Sequence, residues 1–347
     1  MSRIDELFGE MMEQGGSDLH LQEGHPPRIR LNGHLVPLNR PELTETYIEQ
    51  LLSEICSPEQ WKIYQTSGDL DFAYELGHKA RFRANFFRYL GGFGAIFRIV
   101  PSKILTLEDL DAPPVFRSFS NLRSGLVLVT GPTGSGKSTT LAAIIDYINR
   151  TKVKKIITIE EPVEFVHVPR KSLIIHREVG EDTTTFATGL RSAMRSDTNV
   201  VLVGEMRDRE TIELALTATE MGVLVFGTLH TNSASKTLDR IIDVFPADQK
   251  PQIRTLLAGS LRGIVAQQLL RSADGKRRWA AHEILLYTPP LTGIIRNGDS
   301  TKLVSYMQTG RRIGMITLDD CLLEMVQQGK VTKEEAHKKA QEKSRFM

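Results

Sequence analysis

The sequence predicts an α/β protein with a parallel sheet in its second part and a smaller α+β domain before it. After residue 125, short apolar runs alternate with segments of helical periodicity, which is typical of parallel strands joined by crossover helices. Gly222 suits the end of one of these helices. The predicted strands are 126–130, 156–159, 200–203 and 223–226, and the helices between them include 139–149 and 210–221.

The first 100 residues show a different pattern, which predicts a separate small α+β domain. Apolar alternation predicts strands at 69–76, 80–90 and 93–100, and Asn32-Gly33 between two apolar runs predicts a tight hairpin. We expect a connector over 101–124, stiffened by Pro113-Pro114, and a second domain over 125–347. Residues from about 250 onward are expected to be mainly helical, and a charged last helix near Val331 is expected to be a solvated surface.

Composition and charge exclude several classes of protein. The 347 residues contain 44 Lys and Arg and 42 Asp and Glu, so the net charge of +2 argues against a nucleic-acid binder. The two cysteines, Cys56 and Cys321, are too few for a disulfide framework or a CxxC zinc site. No apolar run reaches the ~20 residues of a membrane span, and the acidic residues among the first twelve do not fit a signal peptide. We therefore expect a cytoplasmic protein that meets a membrane only through a partner.

The segment GPTGSGKS at 131–138 fits the pattern G-x-x-x-x-G-K-[ST] at every fixed position. A predicted strand precedes it and a predicted helix follows, which is the context that the motif requires. Glycines let backbone N–H groups wrap phosphates, Lys137 reaches the β- and γ-phosphates, and the Ser138 hydroxyl binds Mg²⁺. The candidate nucleotide-binding residues are Gly131, Pro132, Thr133, Gly134, Ser135, Gly136, Lys137, Ser138 and Thr139.

Acidic residues follow two neighbouring predicted strands. Glu205 comes just after strand 200–203, where an acid orders Mg²⁺ or polarises the attacking water, so Glu205 is a candidate both for catalysis and for metal binding. Glu160 and Glu161 follow strand 156–159, with Glu164 beyond them. His230 lies after the fourth strand, where a structural role and a role as γ-phosphate sensor are both open.

Three arginines of the first domain form a second candidate group. Strand alternation places Arg81 and Arg83 on one face, and Arg98 lies on the next strand. Arginines presented from a separate domain suit stabilisation of phosphoryl transfer, as an arginine finger provides. A solvated basic face is the alternative interpretation.

Four motifs resemble those of the secretion ATPases that drive type IV pili and type II secretion. They are the Walker A box GPTGSGKSTT (131–140), the acidic box TIEEPVEFVH (158–167), the Walker B box VLVGEMRDRETI (201–212) and the histidine box TLHTNSASKTLDRIIDVFP (228–246). The segments REVGEDTTTF (177–186) and QTGRRIGMITLDD (308–320) are similar to the pilus retraction members of that superfamily.

The resemblance implies a PAS-like first domain, a RecA-like second domain and a hexameric ring that hydrolyses ATP with Mg²⁺. It assigns Glu205 as the catalytic glutamate, Glu160 as the acidic-box residue and His230 as the histidine-box residue, with the three arginines closing on nucleotide. It also implies an inner-membrane pilus platform protein as partner, a paralogous retraction ATPase as a second partner, and a peripheral location at the inner membrane.

Two functions stay open at the level of sequence. One is a motor that retracts a pilus, and the other is an accessory ring component that binds nucleotide and hydrolyses little. Lys137 and Glu205 favour the motor. The segment 290–297, PLTGIIRN, departs from a motif of the retraction members and leaves the accessory role in play.

Overall fold

The computed structural model describes residues 2–31, 33–77, 79–90, 92–100 and 103–347. The chain divides into two compact units, Met1–Lys103 and Ile104–Met347, and each has its own hydrophobic core. Among the described residues, no helix is both long and apolar enough to cross a membrane. The predicted hairpin turn includes Asn32, which lies outside the described residues.

The first unit is a six-stranded antiparallel sheet with three helices, as the α+β pattern predicts. Its strand order is β3-β2-β1-β6-β5-β4. The elements are α1 (Arg3–Glu13), β1 (Asp18–Gln22), β2 (Arg28–Leu31), β3 (His34–Pro37), α2 (Glu45–Ser53), α3 (Pro58–Ser67), β4 (Asp69–Leu76), β5 (Ala80–Tyr89) and β6 (Gly92–Val100).

Aromatic side chains fill the core of the first unit. Phe82 and Phe86 alternate along β5 and both point inward, where each is completely buried. Phe8 of α1 stacks on Phe82 with ring centroids 4.1 Å apart and meets Phe97 of β6 edge to face. The alternation that buries these rings places Arg81 and Arg83 on the other face of the sheet.

The second unit is built on a seven-stranded sheet in the order β13-β12-β7-β11-β10-β8-β9. All neighbouring pairs are parallel except β12 and β13, so an antiparallel edge strand completes an otherwise parallel sheet. The elements are α4 (Val115–Phe119), β7 (Gly125–Thr130), α5 (Lys137–Thr151), β8 (Lys155–Glu160), β9 (Leu173–Glu178), α6 (Phe186–Met194), β10 (Val200–Val203), α7 (Arg209–Glu220), β11 (Leu224–Leu229), α8 (Ala234–Asp243), α9 (Lys250–Ser260), β12 (Leu261–Arg271), β13 (Arg278–Leu286), α10 (Pro289–Asn297), α11 (Leu303–Thr309), α12 (Leu318–Gln327) and α13 (Lys333–Lys339), with short 3₁₀ turns between some of them.

Most of the regular structure beyond residue 250 is helical, as expected, but the expectation missed two strands. β12 and β13 form a long hairpin in this region, and β12 lies directly beside β7. The dipeptide Asp274-Gly275 sits between the two strands, and Gly275 has φ +69°. An Asp-Gly pair between apolar runs is a strong hairpin signal, and this pair could have predicted the two strands from the sequence.

The connector expected over 101–124 also needs correction. Residues from 104 onward belong to the second unit, and α4 lies within the predicted connector. Leu107, Phe116 and Phe119 are each almost fully buried in the core of that unit. Apolar side chains at these positions lower the free energy of the folded unit by packing, so most of this segment is part of the domain and not a free spacer.

The last residues pack against the rest of the second unit, contrary to the expectation of a solvated surface. Ala336 and Phe346 are buried in a small core together with Leu318, Leu322 and Leu270. The buried Asp319 carboxylate accepts the backbone N–H groups of residues 341 and 342, each at 2.8 Å. Only the charged face of α13 is solvated, and its apolar face and the segment after it hold the tail in place.

Candidate functional site

The phosphate-loop segment lies between a buried strand and a helix, where the sequence predicts it. β7 is buried along its whole length and ends at Thr130, and α5 begins at Lys137. Gly131, Gly134 and Gly136 have φ values of +147°, +77° and +85°, which other residues rarely adopt. The loop therefore depends on glycine at both fixed glycine positions of the motif and also at position 134.

The members of this loop differ in exposure. Pro132, Thr133 and Gly134 are exposed at its tip, whereas Ser135 is buried. Ser138 and Thr139 are half-buried in the first turn of α5. The tip is thus accessible to a ligand, while the base of the loop is packed into the protein.

Lys137 folds back over the loop. Its Nζ donates hydrogen bonds to the carbonyl oxygens of Gly131 at 2.9 Å and Pro132 at 3.2 Å. Burial lowers the pKa of Lys137, and the charges of Glu205 and Glu164 oppose that shift. Two carboxylates therefore act on the ammonium that faces the loop.

Glu205 lies just after β10, at the carboxyl edge of the sheet. Gly204 precedes it, and the Gly204 N–H donates to the carbonyl oxygen of Ile159 on β8 at 2.8 Å. The hydroxyl of Thr228 on β11 donates to the Gly204 carbonyl oxygen. Both neighbouring strands thus fix the backbone that carries the Glu205 carboxylate.

Glu205 contacts a histidine and an arginine. His230 Nε2 lies 3.3 Å from Glu205 Oε1, and Arg207 Nε lies 2.7 Å from the same oxygen. Burial acts to raise the pKa of Glu205, but the hydrogen bonds from Arg207 and His230 outweigh it and hold the pKa below its usual value. The carboxylate is therefore charged at neutral pH. The structure brings Glu205 and His230 together, and it adds Arg207, which the sequence analysis did not select although it lies two residues after Glu205.

Glu160 has a different environment from Glu205. It is the last residue of β8, it is 9% exposed, and burial raises its pKa to about 7. A hydrogen bond from Thr158 opposes this shift, whereas the charges of Glu164 and Glu178 add to it. Glu160 borders a cavity of about 30 Å³ together with Ser138 and His167.

Of the carboxylates in the acidic box, Glu164 is the one whose charge acts on Lys137. Glu164 is exposed, whereas Glu160 is buried against the sheet. Glu160 is the predicted site residue because it ends a strand, and Glu164 has no predicted role. The exposed position four residues later was visible in the sequence, but which of the two carboxylates reaches the lysine depends on the path of the loop after β8.

The three arginines lie on the sheet of the first unit. Arg98 Nε donates to Asp18 Oδ1 at 2.7 Å, and Arg81 pairs with Glu75 at 3.5 Å. Arg83 is exposed and lies directly opposite Arg98 in the strand register. The structure thus places Arg83 and Arg98 side by side on one exposed face, and their part in a nucleotide site stays a prediction.

A larger cavity of about 340 Å³ opens beside the start of α5. Gly136 and Thr139 form one wall, and apolar side chains form much of the rest. Apolar walls next to a phosphate loop suit the flat aromatic face of a nucleotide base. These walls include Leu110, Phe116, Leu269 and Trp279.

A glycine-rich loop at the carboxyl edge of a parallel sheet, with a charged glutamate after a neighbouring strand, defines a P-loop nucleoside triphosphatase. Comparison with known families gives the particular one. The chain belongs to the family of type II/IV secretion system proteins, whose model matches residues 1–344.

Individual relatives agree with this assignment. The type IV pilus retraction ATPase PilT of Pseudomonas aeruginosa is 49% identical over 337 residues, which cover 97% of this chain and 98% of that protein. A crystal structure of the pilus retraction motor PilT with bound ADP has a TM-score of 0.93 and 41% identity, and it covers 99% of both chains. The type IV pilus ATPase PilU of Pseudomonas aeruginosa is 36% identical, covering 96% of this chain and 87% of its own length. These similarities confirm the family indicated by the four motifs and confirm that the chain is an ATPase that is similar to pilus retraction motors.

Proposed function

We propose that this chain is a motor that hydrolyses ATP to retract a type IV pilus. The observation that carries the proposal is the constellation of Lys137, Glu205 and His230 at one edge of the sheet, with the Glu205 carboxylate charged and held in place. A chain that only binds nucleotide has no need of a fixed carboxylate beside the phosphate loop. The greater similarity to PilT than to PilU favours the motor over the accessory role.

The residues of the loop fit ATP and Mg²⁺. In this proposal the Ser138 hydroxyl and the Glu205 carboxylate hold Mg²⁺, since both offer the oxygen ligands that this ion prefers. When bound, the ion neutralises charge on the phosphates. Lys137 exchanges its bonds to the loop carbonyl oxygens for the β- and γ-phosphates, and the backbone N–H groups of residues 131–139 bind the remaining oxygens.

Glu205 also orients the attacking water in this proposal, and His230 restrains Glu205. The hydrogen bond between His230 Nε2 and Glu205 Oε1 limits the rotation of the carboxylate and leaves its other oxygen to face both Mg²⁺ and the attacking water. Glu160 is protonated in part at neutral pH because its pKa is near 7. Glu164 therefore suits the acidic-box role beside Lys137 better than Glu160 does.

The assembled state is part of the same proposal. Six copies form a ring in which Arg81, Arg83 and Arg98 of a PAS-like first domain close on nucleotide held by a RecA-like second domain. The exposed Arg83 supports this role, because a side chain that stabilises phosphoryl transfer must be able to reach the ligand. The ring acts at the inner membrane on a pilus platform protein, and a paralogous retraction ATPase is a further partner.

The substitution Glu205→Gln tests the proposal. The amide keeps the shape of the side chain and removes its charge, so ATP binding should be largely retained while turnover falls about 10²-fold or more. Lys137→Ala should weaken ATP binding as well, because it removes a phosphate contact. Nucleotide binding and steady-state phosphate release are measured for both variants and for the exposed control Glu220→Gln.

Two outcomes would count against the motor. If the wild type releases no phosphate under conditions in which it binds ATP, the accessory role is correct. If Glu205→Gln turns over like the control, Glu205 is not the catalytic residue. Deletion of the gene separates the two roles in cells, since loss of the principal motor gives excess pili and no surface motility.

A further inference from the structure

Gln267 is a buried polar residue on the strand beside the phosphate loop. It lies on β12, is 2% exposed, and uses both ends of its amide. Its Nε2 donates to the carbonyl oxygen of Ser135 at 2.7 Å, and its Oε1 accepts from the hydroxyl of Thr140 at 2.8 Å. The reverse orientation of the amide would set two oxygens against each other at Ser135, so the contacts fix the assignment.

The bond to Ser135 determines where the next N–H points. The Ser135 carbonyl and the Gly136 N–H belong to one planar trans peptide, in which the C=O and N–H bonds point in opposite directions. Because Gln267 holds the carbonyl toward β12, the Gly136 N–H is directed away from β12. In a phosphate-binding loop, N–H groups near the start of the helix are those that meet the phosphates.

This peptide needs a partner to keep its orientation. Gly136 has φ +85° and no side chain, so rotation of the peptide before it meets little steric resistance. A buried hydrogen bond from a side chain that is itself held at Thr140 supplies the missing restraint. The bond also links the loop to the second turn of α5.

Gln267 also lies against both ends of the loop. A Cβ at Gly131 would lie 2.3 Å from the Gln267 carbonyl oxygen, and one at Gly136 would lie 2.9 Å from Gln267 Nε2. Both glycines therefore let this one residue approach the first and the last turn of the loop. β12 thus packs directly against the phosphate loop.

We infer that Gln267 is a positioning residue that holds the Ser135–Gly136 peptide with its N–H toward the nucleotide phosphates. The inference rests on the proposed function in one respect, namely that phosphates bind in this loop. Since the loop contacts phosphates before and during the reaction, loss of Gln267 should weaken binding more than it slows chemistry.

The test compares Gln267→Met with Gln268→Met. Methionine has a similar length and no hydrogen-bonding amide, and Gln268 points to the opposite face of the same strand. We expect the Kd for ADP with Mg²⁺, measured by calorimetry, to rise about tenfold in Gln267→Met, with a parallel rise in the KM for ATP. We expect kcat to change by less than about threefold, and Gln268→Met to bind like the wild type.

A second pair keeps the test decisive if Gln267→Met folds poorly. Thr140→Val removes the hydroxyl that holds the Gln267 amide, and Thr140→Ser retains it. Weaker ADP binding by Thr140→Val, restored in Thr140→Ser, supports the inference. Equal binding by Gln267→Met and Gln268→Met overturns it, as does equal binding by the two Thr140 variants. A wild type that binds no ADP would contradict the proposed function instead.

Discussion

Glu160 and Glu205 lie at the ends of neighbouring strands and yet have pKa values shifted in opposite directions. Burial dominates at Glu160 and raises its pKa to about 7. At Glu205 the hydrogen bonds from Arg207 and His230 overcome the effect of burial. The sequence shows two acids after two apolar strands, and it does not show that one is fully charged at pH 7 while the other is protonated in part.

The raised pKa of Glu160 makes the stability of the second unit depend on pH. Glu160 ionises near pH 4.5 in the unfolded chain and near pH 7 in the folded one. Its contribution to the free energy of unfolding is therefore fully present below pH 4.5 and is lost as the pH rises through 7. The loss is on the order of 3 kcal/mol, from 1.36 kcal/mol per pKa unit. Glu160→Gln removes the ionisation. The free energy of unfolding of the variant, relative to that of the wild type, should therefore be larger at pH 8 than at pH 4.5 by the same amount.

Urea unfolding followed by tryptophan fluorescence measures this difference. The chain has two tryptophans, Trp61 in the first unit and Trp279 in the second. A Trp61→Phe background therefore reports on the second unit alone. An equal difference between Glu160→Gln and the wild type at both pH values would contradict the expected titration.

Single residues of the site were predictable where a spacing or a strand end marks them. The loop 131–138 has fixed spacing, and Glu205 and His230 follow apolar strands, so local pattern was sufficient to find them. Gln267 and Glu164 carry no such mark. Gln267 reaches the loop only because β12 inserts beside β7, and no local pattern around Gln267 contains that pairing.

At the scale of elements, the β12–β13 hairpin contacts both the helix of the histidine box and the C-terminal segment after α13. The buried Glu283 on β13 accepts the N–H of Ala234 at the start of α8 at 2.7 Å, and its other oxygen accepts from Gln341 at 3.2 Å. α8 begins four residues after His230. A carboxylate on the hairpin thus joins the helix of the histidine box to the end of the chain.

Loss of a buried side chain from the tail should therefore destabilise the second unit. Phe346→Ala opens a cavity against Leu318 and its neighbours, and a buried Phe→Ala change costs about 3–5 kcal/mol. The exposed neighbour Met347, changed to Ala, is the matched control, since 82% of its surface is exposed. The urea midpoint of the second unit should fall for Phe346→Ala and stay for Met347→Ala.

A result in which both variants unfold at the same urea concentration would mean that the tail only rests on the surface. The many charges of α13 favour the prediction of such a surface. Ala336 and Ala340 are four residues apart, as on one face of a helix, but both side chains are small and Phe346 lies beyond the helix, so the apolar pattern is weak.

For the whole molecule, the alternation of strands and helices was sufficient to predict two domains and a parallel sheet. The order of strands, in which β12 and β13 extend the sheet beyond β7, follows from packing between segments far apart in sequence. The domain boundary fell near residue 103 and not after the segment with two prolines, because Phe116 and Phe119 are needed in the second core.

The proposed ring predicts that activity depends on protein concentration. If the arginines of one copy complete the site of another, specific ATPase activity should rise steeply with concentration and level off as rings form. Arg83→Ala should lower kcat more than it raises the KM for ATP, because such an arginine acts mainly in the transition state. The exposed Arg123→Ala, outside the arginine group, serves as control.

Sedimentation in parallel with the activity assay decides this prediction. A chain that sediments as a monomer while it turns over at its full rate would exclude a site shared between copies. If the protein forms a ring and each of the variants Arg83→Ala, Arg81→Ala and Arg98→Ala keeps the wild-type kcat, the ring is supported and the catalytic role of the arginines is excluded.

The hydrogen bond between Gln267 and Ser135 joins residues that leave the ribosome at different times. The two residues are 132 positions apart, so at ~5–20 residues per second the ribosome makes the loop roughly 7–26 s before it makes the residue that holds it. The first unit, by contrast, has its whole core within residues 4–97 and can fold while the rest is still being made. The core of the first domain is thus complete in sequence well before the nascent chain reaches the residue that holds the phosphate loop.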